Sequence, residues 1–461
     1  MRRLNRLRLP ALRRLGLLFD QDHDAFAHAR LERGNLRFDR CGFPAGGLLG
    51  KLGIPVFDFE RYADAQAAVA RREGWNAVLS HHEFQGALAA ALVAERCGLP
   101  GTSPESIIAC QHKGYMRQLL QQVCPEANVG FRAIDPLHAA DVADALTYPC
   151  HVKPSRGTFS ILARRIDDRA AFERLTRFGP LTRWSLRRML GPFERIAAER
   201  LPAAGSALRL LIEEPLGGSQ HNLDGWVDEH GVHLLGVVDA HCYAGTQAFQ
   251  RWHYPSVLSP AVQQTALAVA ERFLAATGYT RGLFNMEFMH EPRTGRVAVL
   301  EFNPRLSSQF GDLYRFVDGV DPHAIAVALA LGDDVRALVR VAPAAAVAAS
   351  LVWRSFGSRP PPPLPGRRAR AALAHAFPDT SLVTYPRSFS LFARGMRWLD
   401  SHRYGVLNIG APDPEALAAR SATVSALLGW PNAPYAGASP LADASSLAQP
   451  GRVLPVVAER A

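Results

Sequence analysis

The chain has 461 residues, 48% of them apolar and 20% charged, with a formal net charge of +10 at pH 7. That length and balance suit a folded protein of two or three domains with a sizeable core. They exclude a membrane span, because no run approaches the roughly 18 apolar residues that one needs; the nearest, Val341 to Val352, is Ala-rich, interrupted by Pro343, and reads as a core segment.

The N-terminus carries five Arg in its first thirteen positions and no acid before Asp20. It lacks the apolar stretch of a secretory signal and reads as a disordered basic lead-in, with a transit-like or anionic-surface segment as the alternative. Arg14 to Phe19 is a first strand and Ala77 to Ser80 a second, which ends in His81, His82 and Glu83. A helix from Gln85 to Cys97 stops at Gly98 to Pro100. Strands alternating with helices give an α/β N-terminal domain over residues 1–110. Next come a helix from Tyr115 to Val123 and strands at Cys150 to Pro154, Arg209 to Glu214, Gly236 to Asp239, Leu283 to Phe288 and Val297 to Phe302. A helical pattern runs from Ala261 to Ala276. This is α+β texture over 111–335. Arg359 to Arg370 reads as an extended, exposed proline-rich and then basic loop. Beyond it lie a strand from Tyr404 to Gly410 and a helix from Pro414 to Leu428, with Asp413 as N-cap and Pro414 at the first helical position. Residues 336–432 thus form a C-terminal subdomain, and 433–461, rich in Ala, Ser and Pro, a disordered tail.

The basic residues are scattered and no nucleic-acid motif is present, so the charge implies attraction for anionic substrates rather than nucleic acid. The six Cys show neither CxxC nor zinc-ligand spacing and read as reduced thiols of a cytoplasmic protein. Lysine usage is more informative. Of 52 basic residues only Lys51, Lys113 and Lys153 are lysine. Retaining lysine under such a bias suggests a need for a compact ammonium that a planar guanidinium does not replace.

The chemistry concentrates between Met286 and Ser308, MEFMHEPRTGRVAVLEFNPRLSS. Glu287 and Glu301 lie on two apolar strands joined by a short turn from Glu291 to Gly295, which is hairpin spacing. Glu301 and Asn303 are two apart and project from one face, as do Asn285 and Glu287. Two carboxylates and an amide oxygen converging on one point are hard ligands suited to Mg²⁺ when substrate phosphates complete the shell. Without a cation, pairing the acids is costly. The competing reading is a pair of exposed strand acids, and it suits Glu287 alone better than the whole set.

This segment resembles the metal-binding signature of ATP-grasp enzymes, and the resemblance extends from about Val78 to Gly332 and more faintly through Gly410. It implies an N-terminal pre-ATP-grasp domain, a lid over about 125–210 and a metal-bearing subdomain over about 211–335. It further implies that Lys113 (in QHKGYMRQLL) and Lys153 (in YPCHVKPSRGTFS) hold phosphate groups. A loop from Ser155 to Ser160 would close over them, with the Ser160 hydroxyl among the phosphate contacts, although one Gly is fewer than the family pattern has. LIEEPLGGSQHNLDG resembles the adenine-hinge strand, so Glu213 or Glu214 and the backbone near Leu216 are expected at the adenine edge, and Gln220 or His221 at the ribose. Glu287, Glu301 and Asn303 are the expected metal ligands, and Arg305 would face the transferred phosphate. Ser307 and Ser308 stand where an anion-binding turn would lie.

Asp239, His241, His253 and Tyr254 read equally well as acceptor-pocket residues or as satisfied polar core. His81, His82 and Glu83 end a strand, where ligands gather in open α/β sheets.

The implied activity is that of a ligase using ATP and Mg²⁺, with Mn²⁺ as an alternative metal. A substrate carboxylate would become an acyl phosphate and then join an amine, with ADP and phosphate as products. Small-molecule carboxylate and amine substrates are the expected partners, and a homodimer is a common assembly. Three alternatives stay open: biotin-carboxylase-like carboxylation of a separate carrier, a small-molecule kinase, and a non-catalytic ATP-binding protein. The acyl donor and nucleophile are not legible from fold-level likeness.

Overall fold

The computed structural model describes residues 12–20, 22–32, 34–42, 57–136, 139–157, 163–357, 360–385, 401–431 and 433–435. The Arg-rich lead-in before Leu12, Ser160 and the tail after Tyr435 lie outside them.

The N-terminal strands β1 (Arg13–Leu18), β2 (Leu36–Cys41) and β3 (Ala77–Leu79) form a parallel sheet in the order β2-β1-β3. Parallel pairing requires helical crossovers, supplied here by Asp22–Leu31 and Phe59–Glu73. The helix Gly86–Cys97 begins just beyond the end of β3 and stops at Gly98, whose φ of 63° is the left-handed conformation that glycine adopts readily. Ser103 and Ser259 cap the helices Pro104–Gln111 and Pro260–Ala276, each with proline in its first turn.

A second sheet joins β4 (Phe131–Ile134), β5 (Cys150–Pro154), β6 (Arg164–Ile166) and β7 (Leu210–Glu213) in the order β4-β7-β5-β6. The third sheet is larger and antiparallel. It contains β8 (Ser219–Asp228), β9 (Gly231–Cys242), β10 (Phe249–Tyr254), β11 (Gly282–Glu291), β12 (Arg296–Asn303), β13 (Val347–Phe356), β14 (Ser381–Thr384) and β15 (Ser401–Ala411), ordered β12-β11-β8-β9-β10-β13-β15-β14. The strands after Val347 therefore extend the sheet that carries the Glu287–Glu301 hairpin.

Two details differ from the sequence reading. The apolar run beginning at Val341 is not core throughout: Val341 is exposed, and the continuous buried stretch begins at Ala348. Residues 360–366 have no regular structure as expected, but Arg367 to Arg370 open the helix Arg367–Ala376. Once the prolines end, Arg, Ala and Leu favour helix, and buried Leu373 anchors it. Among the described residues no helix is long and apolar enough to cross a membrane.

The main core lies where the helices Gly86–Cys97, Pro104–Gln111, Lys113–Val123 and Pro260–Ala276 cover one face of β8, β11 and β12. Phe273 stacks on Phe302 with ring centroids 4.0 Å apart, both rings essentially sealed from solvent. Phe302 sits between Glu301 and Asn303, so by strand alternation its ring anchors the core face while those two residues point the other way. Truncating Phe273 to Ala should cost about 3–5 kcal/mol in urea unfolding. A cost below about 1 kcal/mol would mean that this stack does not hold the hairpin.

Candidate functional site

Strands β11 and β12 pair with Glu287 directly opposite Glu301 and Asn285 opposite Asn303, the register slipping by one residue just after Glu287. Two carboxylates and two amides therefore share one face. Beneath them Asn285 donates to Asp224 at 3.0 Å, and Asp224 accepts from the Tyr314 hydroxyl at 2.6 Å. Burial pushes the Asp224 carboxyl up to about 6, against the pull of these two donors. This polar chain runs from the core to the site and fixes the amide row.

The two lysines reach the hairpin from separate segments. Lys113 opens the helix Lys113–Val123, whose N-cap His112 accepts from the Tyr115 N–H. Its Nζ lies 2.6 Å from Glu301 Oε2 and donates to the Gly157 carbonyl at 3.1 Å. Lys153, near the end of β5, pairs with Glu213 Oε2 at 2.8 Å and donates to the Leu300 carbonyl at 3.2 Å. Burial pulls the Lys153 ammonium down to about 8, with Glu213 opposing. Burial favours a protonated Glu301, but Lys113, then Lys153 and Arg305, hold its carboxyl down at about 2.

Arg305 turns to the N-terminal domain and pairs with Glu83 at 2.7 Å. Its ion-pair partner is thus Glu83, beyond the end of β3, and neither hairpin acid. Glu287 takes a hydrogen bond from Gln220 at 2.9 Å and forms no ion pair among the described residues. Burial, then Glu301 and Glu83, push its carboxyl up to about 8.

The Asn303 amide lies between Asn285, 3.1 Å away, and Glu83. With its NH₂ toward Glu83 it donates at 3.2 Å; turned the other way, oxygen faces oxygen unless a cation lies between. An excess carboxylate, a second one opposite and an amide oxygen able to face them fit a hard divalent cation such as Mg²⁺.

Glu213, expected at the adenine edge, is instead buried between Lys153 and Arg117, whose Nε lies 2.7 Å away. Arg117 is fully buried and also donates to the Val299 and Leu300 carbonyls. Glu214 pairs with Arg296 at 2.9 Å, and Leu216 follows β7 in a segment without regular structure. Gln220 bonds Glu287, whereas His221 points to the other face and pairs with Asp239 at 2.7 Å. His241 and His253 are on that face too, across the sheet from the hairpin acids, while Tyr254 packs its ring against Tyr314. Ser307 and Ser308 lie at the start of a short 3₁₀ turn.

Sequence reasoning missed Arg117 and the Glu83–Arg305 pair. Glu83 carried a signal in its strand-end position; Arg117 carried none beyond its place one turn after Lys113.

The fold is of the ATP-grasp type: a four-stranded antiparallel sheet brings Lys153 to a larger antiparallel sheet whose edge is the carboxylate hairpin. Residues 146–312 match the family model described as the ATP-grasp domain, so the chain carries an ATP-grasp domain. It is 27% identical over 212 residues to the C-terminal section of the carbamoyl phosphate synthase large chain of Methanopyrus kandleri. That match spans 45% of this chain and only 35% of the relative. The fold is similar to that of an L-amino acid ligase from Bacillus licheniformis, with a TM-score of 0.65, 17% identity, and coverage of 90% of this chain and 97% of the other. N5-carboxyaminoimidazole ribonucleotide synthetase from Thermus thermophilus follows at a TM-score of 0.57 and 18% identity, with 90% and 98% covered. The biotin carboxylase domain of Hydrogenobacter thermophilus 2-oxoglutarate carboxylase, solved with MgADP and bicarbonate, also gives 0.57, at 14% identity and 89% coverage of each chain.

The Glu213 cluster has a measurable pH signature. Burial opposes ionisation, but Arg117 and Lys153 bring the carboxyl from the ordinary 4.5 to about 2. A lowered folded-state value gives stability that is complete above the ordinary value and lost as pH falls through 4.5 toward 2. Glu213→Gln should cost about 3 kcal/mol at neutral pH, because it leaves two buried cations short of one charge. It should also flatten that acid limb of the stability curve. Parallel curves for the two proteins would contradict the assignment.

Proposed function

We propose that this chain is an ATP- and Mg²⁺-dependent ligase that activates a substrate carboxylate as an acyl phosphate and joins it to an amine. The observation that carries this reading is the convergence of Lys113 and Lys153, two of only three lysines, on the hairpin that opposes Glu287 and Glu301. On this reading Lys113 and Lys153 hold the phosphates, and Glu287, Glu301 and Asn303 hold the metal. Bound Mg²⁺ would neutralise charge on the phosphate oxygens. Arg305, steadied by Glu83, faces the transferred phosphoryl group, where a fixed cation stabilises developing charge. Since Glu213 is committed to Lys153 and Arg117, the adenine edge falls to the backbone between Glu214 and Leu216.

The reaction proceeds in two displacements. A carboxylate oxygen of the donor attacks the γ-phosphorus and ADP leaves; the donor is already ionised at neutral pH, so this step needs no general base. The amine nitrogen then attacks the acyl carbon, the C–O bond to phosphate breaks, and the nitrogen gives up a proton. The protein's part is positioning and charge neutralisation. Beside Arg305 a cavity of ≈ 100 Å³, lined by Ala87, Ala91, Ile107 and Leu306, offers apolar surface to a small substrate group.

Turnover of ATP with Mg²⁺ is to be measured against a panel that begins with small apolar amino acids, scoring ADP and free phosphate. Stimulated release of both, reduced by at least about a hundredfold in Glu301→Ala and Lys153→Ala, is the expected result. ADP without free phosphate would mean a kinase and would overturn the ligase assignment.

The depressed Lys153 value adds a pH test. The ammonium form is lost as pH rises through about 8, so ATP affinity should be level below that pH and weaken above it. Lys153→Arg, which stays charged, should remove the bend. An unbent wild-type profile would separate Lys153 from phosphate binding.

A further inference from the structure

A second polar cluster lies under the N-terminal domain, where the catalytic reading makes no use of it. Asp24 and His28 sit one turn apart on the helix Asp22–Leu31, His81 follows β3, and His323 stands in the first turn of the helix Pro322–Leu331. All four are at least nine-tenths buried, with exposures of 1%, 0%, 5% and 3%. One ligand atom each from Asp24, His81 and His323 lie within 4.8 Å of one another, and His323 Nε2 is 3.0 Å from Asp24 Oδ1. The His28 ring stands 6.0 Å from that of His81 and 5.5 Å from that of His323.

Two further features set this cluster apart from an ordinary buried hydrogen-bond network. His28 engages Asp20 through Nδ1 at 3.1 Å, while its Nε2 is buried and has no hydrogen-bond partner. His323 Nδ1 lies 3.7 Å from Asp321, beyond hydrogen-bond distance. A carboxylate behind an imidazole, as Asp20 stands behind His28, is a common arrangement around metal-bound histidines. The His323 ring is closely seated: a Cβ at Gly311 would come within 2.8 Å of its Cε1.

We infer that Asp24, His81 and His323, with the buried His28 ring packed beside them, form a structural site for a borderline divalent cation of the Zn²⁺ class. Imidazole nitrogen with one carboxylate suits zinc, cobalt or nickel, whereas magnesium prefers an all-oxygen shell. The ion ties the first helix and the end of β3 to the helix Pro322–Leu331. His81 is two residues from Glu83, so the ion also steadies the segment that holds Arg305. The competing occupant is a proton: against the cost of burial, Asp24 and Asp321 raise the His323 imidazole to about 9.

The test uses the untagged full chain, stripped with a chelator and dialysed against Zn²⁺ in excess Mg²⁺. Elemental analysis should find one Zn²⁺ per chain, and Co²⁺ loaded instead should give the visible bands of a tetrahedral nitrogen–oxygen site, bleached by added Zn²⁺. His81→Asn and His323→Gln should abolish it, and Glu301→Gln should leave it unchanged. Absence of stoichiometric Zn²⁺ and of the Co²⁺ bands in the wild-type chain would overturn the site, and would leave the ligase reading untouched. Zn²⁺ lost in Glu301→Gln but kept in His323→Gln would overturn it equally, by assigning the ion to the hairpin.

Discussion

Two carboxylates held opposite one another on neighbouring strands repel, and the surroundings of Glu287 and Glu301 are arranged around that repulsion. Their register is fixed by β-pairing and by the aromatic stack behind Phe302, so they cannot separate without unzipping the hairpin. Compensation comes from outside: Lys113 from a helix N-terminus, Lys153 from the second sheet, and Arg305 from the segment after β12. Each cation is in turn held by a group remote in sequence. Glu213 and Arg117 set Lys153, and Glu83 sets Arg305. Glu287 is left with an amide partner and a strongly raised carboxyl, which marks where positive charge is still wanted.

That arrangement explains which parts of the molecule were legible in the sequence. The hairpin acids were, because their relation is local: turn length and strand alternation place Glu287, Glu301 and Asn303 on one face without any knowledge of the fold. The capped helix from Pro414 and the helix at Ala261 to Ala276 were legible for the same reason. Lys113 and Lys153 stood out because this chain otherwise uses arginine and because both lie in segments that resemble the family's phosphate-binding ones. What the sequence concealed is tertiary. Arg305 and Glu83 are 222 positions apart, and Arg117 and Glu213 are 96 apart. Glu213 looked like a strand-end acid meeting a ligand, yet the same position is a buried acceptor between two cations. Arg367 to Arg370 looked like loop because the prolines before them are loop, whereas a single buried leucine is enough to carry that segment into a helix.

The two charge clusters differ in hardness although His81 and Glu83 stand on the same segment. On the hairpin the donors are carboxylate and amide oxygen, suited to a cation that arrives with phosphate. Under the N-terminal domain they are imidazoles with one carboxylate, closed off from solvent. One arrangement can admit and release a ligand; the other can only clamp. Placing a clamp beside Glu83 means that the part of the site contributed by the N-terminal domain is braced from below, not merely packed.

The central claim is that nucleotide and metal meet between the lysines and the carboxylate hairpin. The most direct measurement is a calorimetric titration of the full chain with a non-hydrolysable ATP analogue, in Mg²⁺ and again in EDTA. The account predicts one site per chain in Mg²⁺, with affinity falling by an order of magnitude or more in EDTA and lost when Lys113 and Lys153 are both replaced by Ala. Absence of binding, or binding indifferent to the metal and to both lysines, would contradict it.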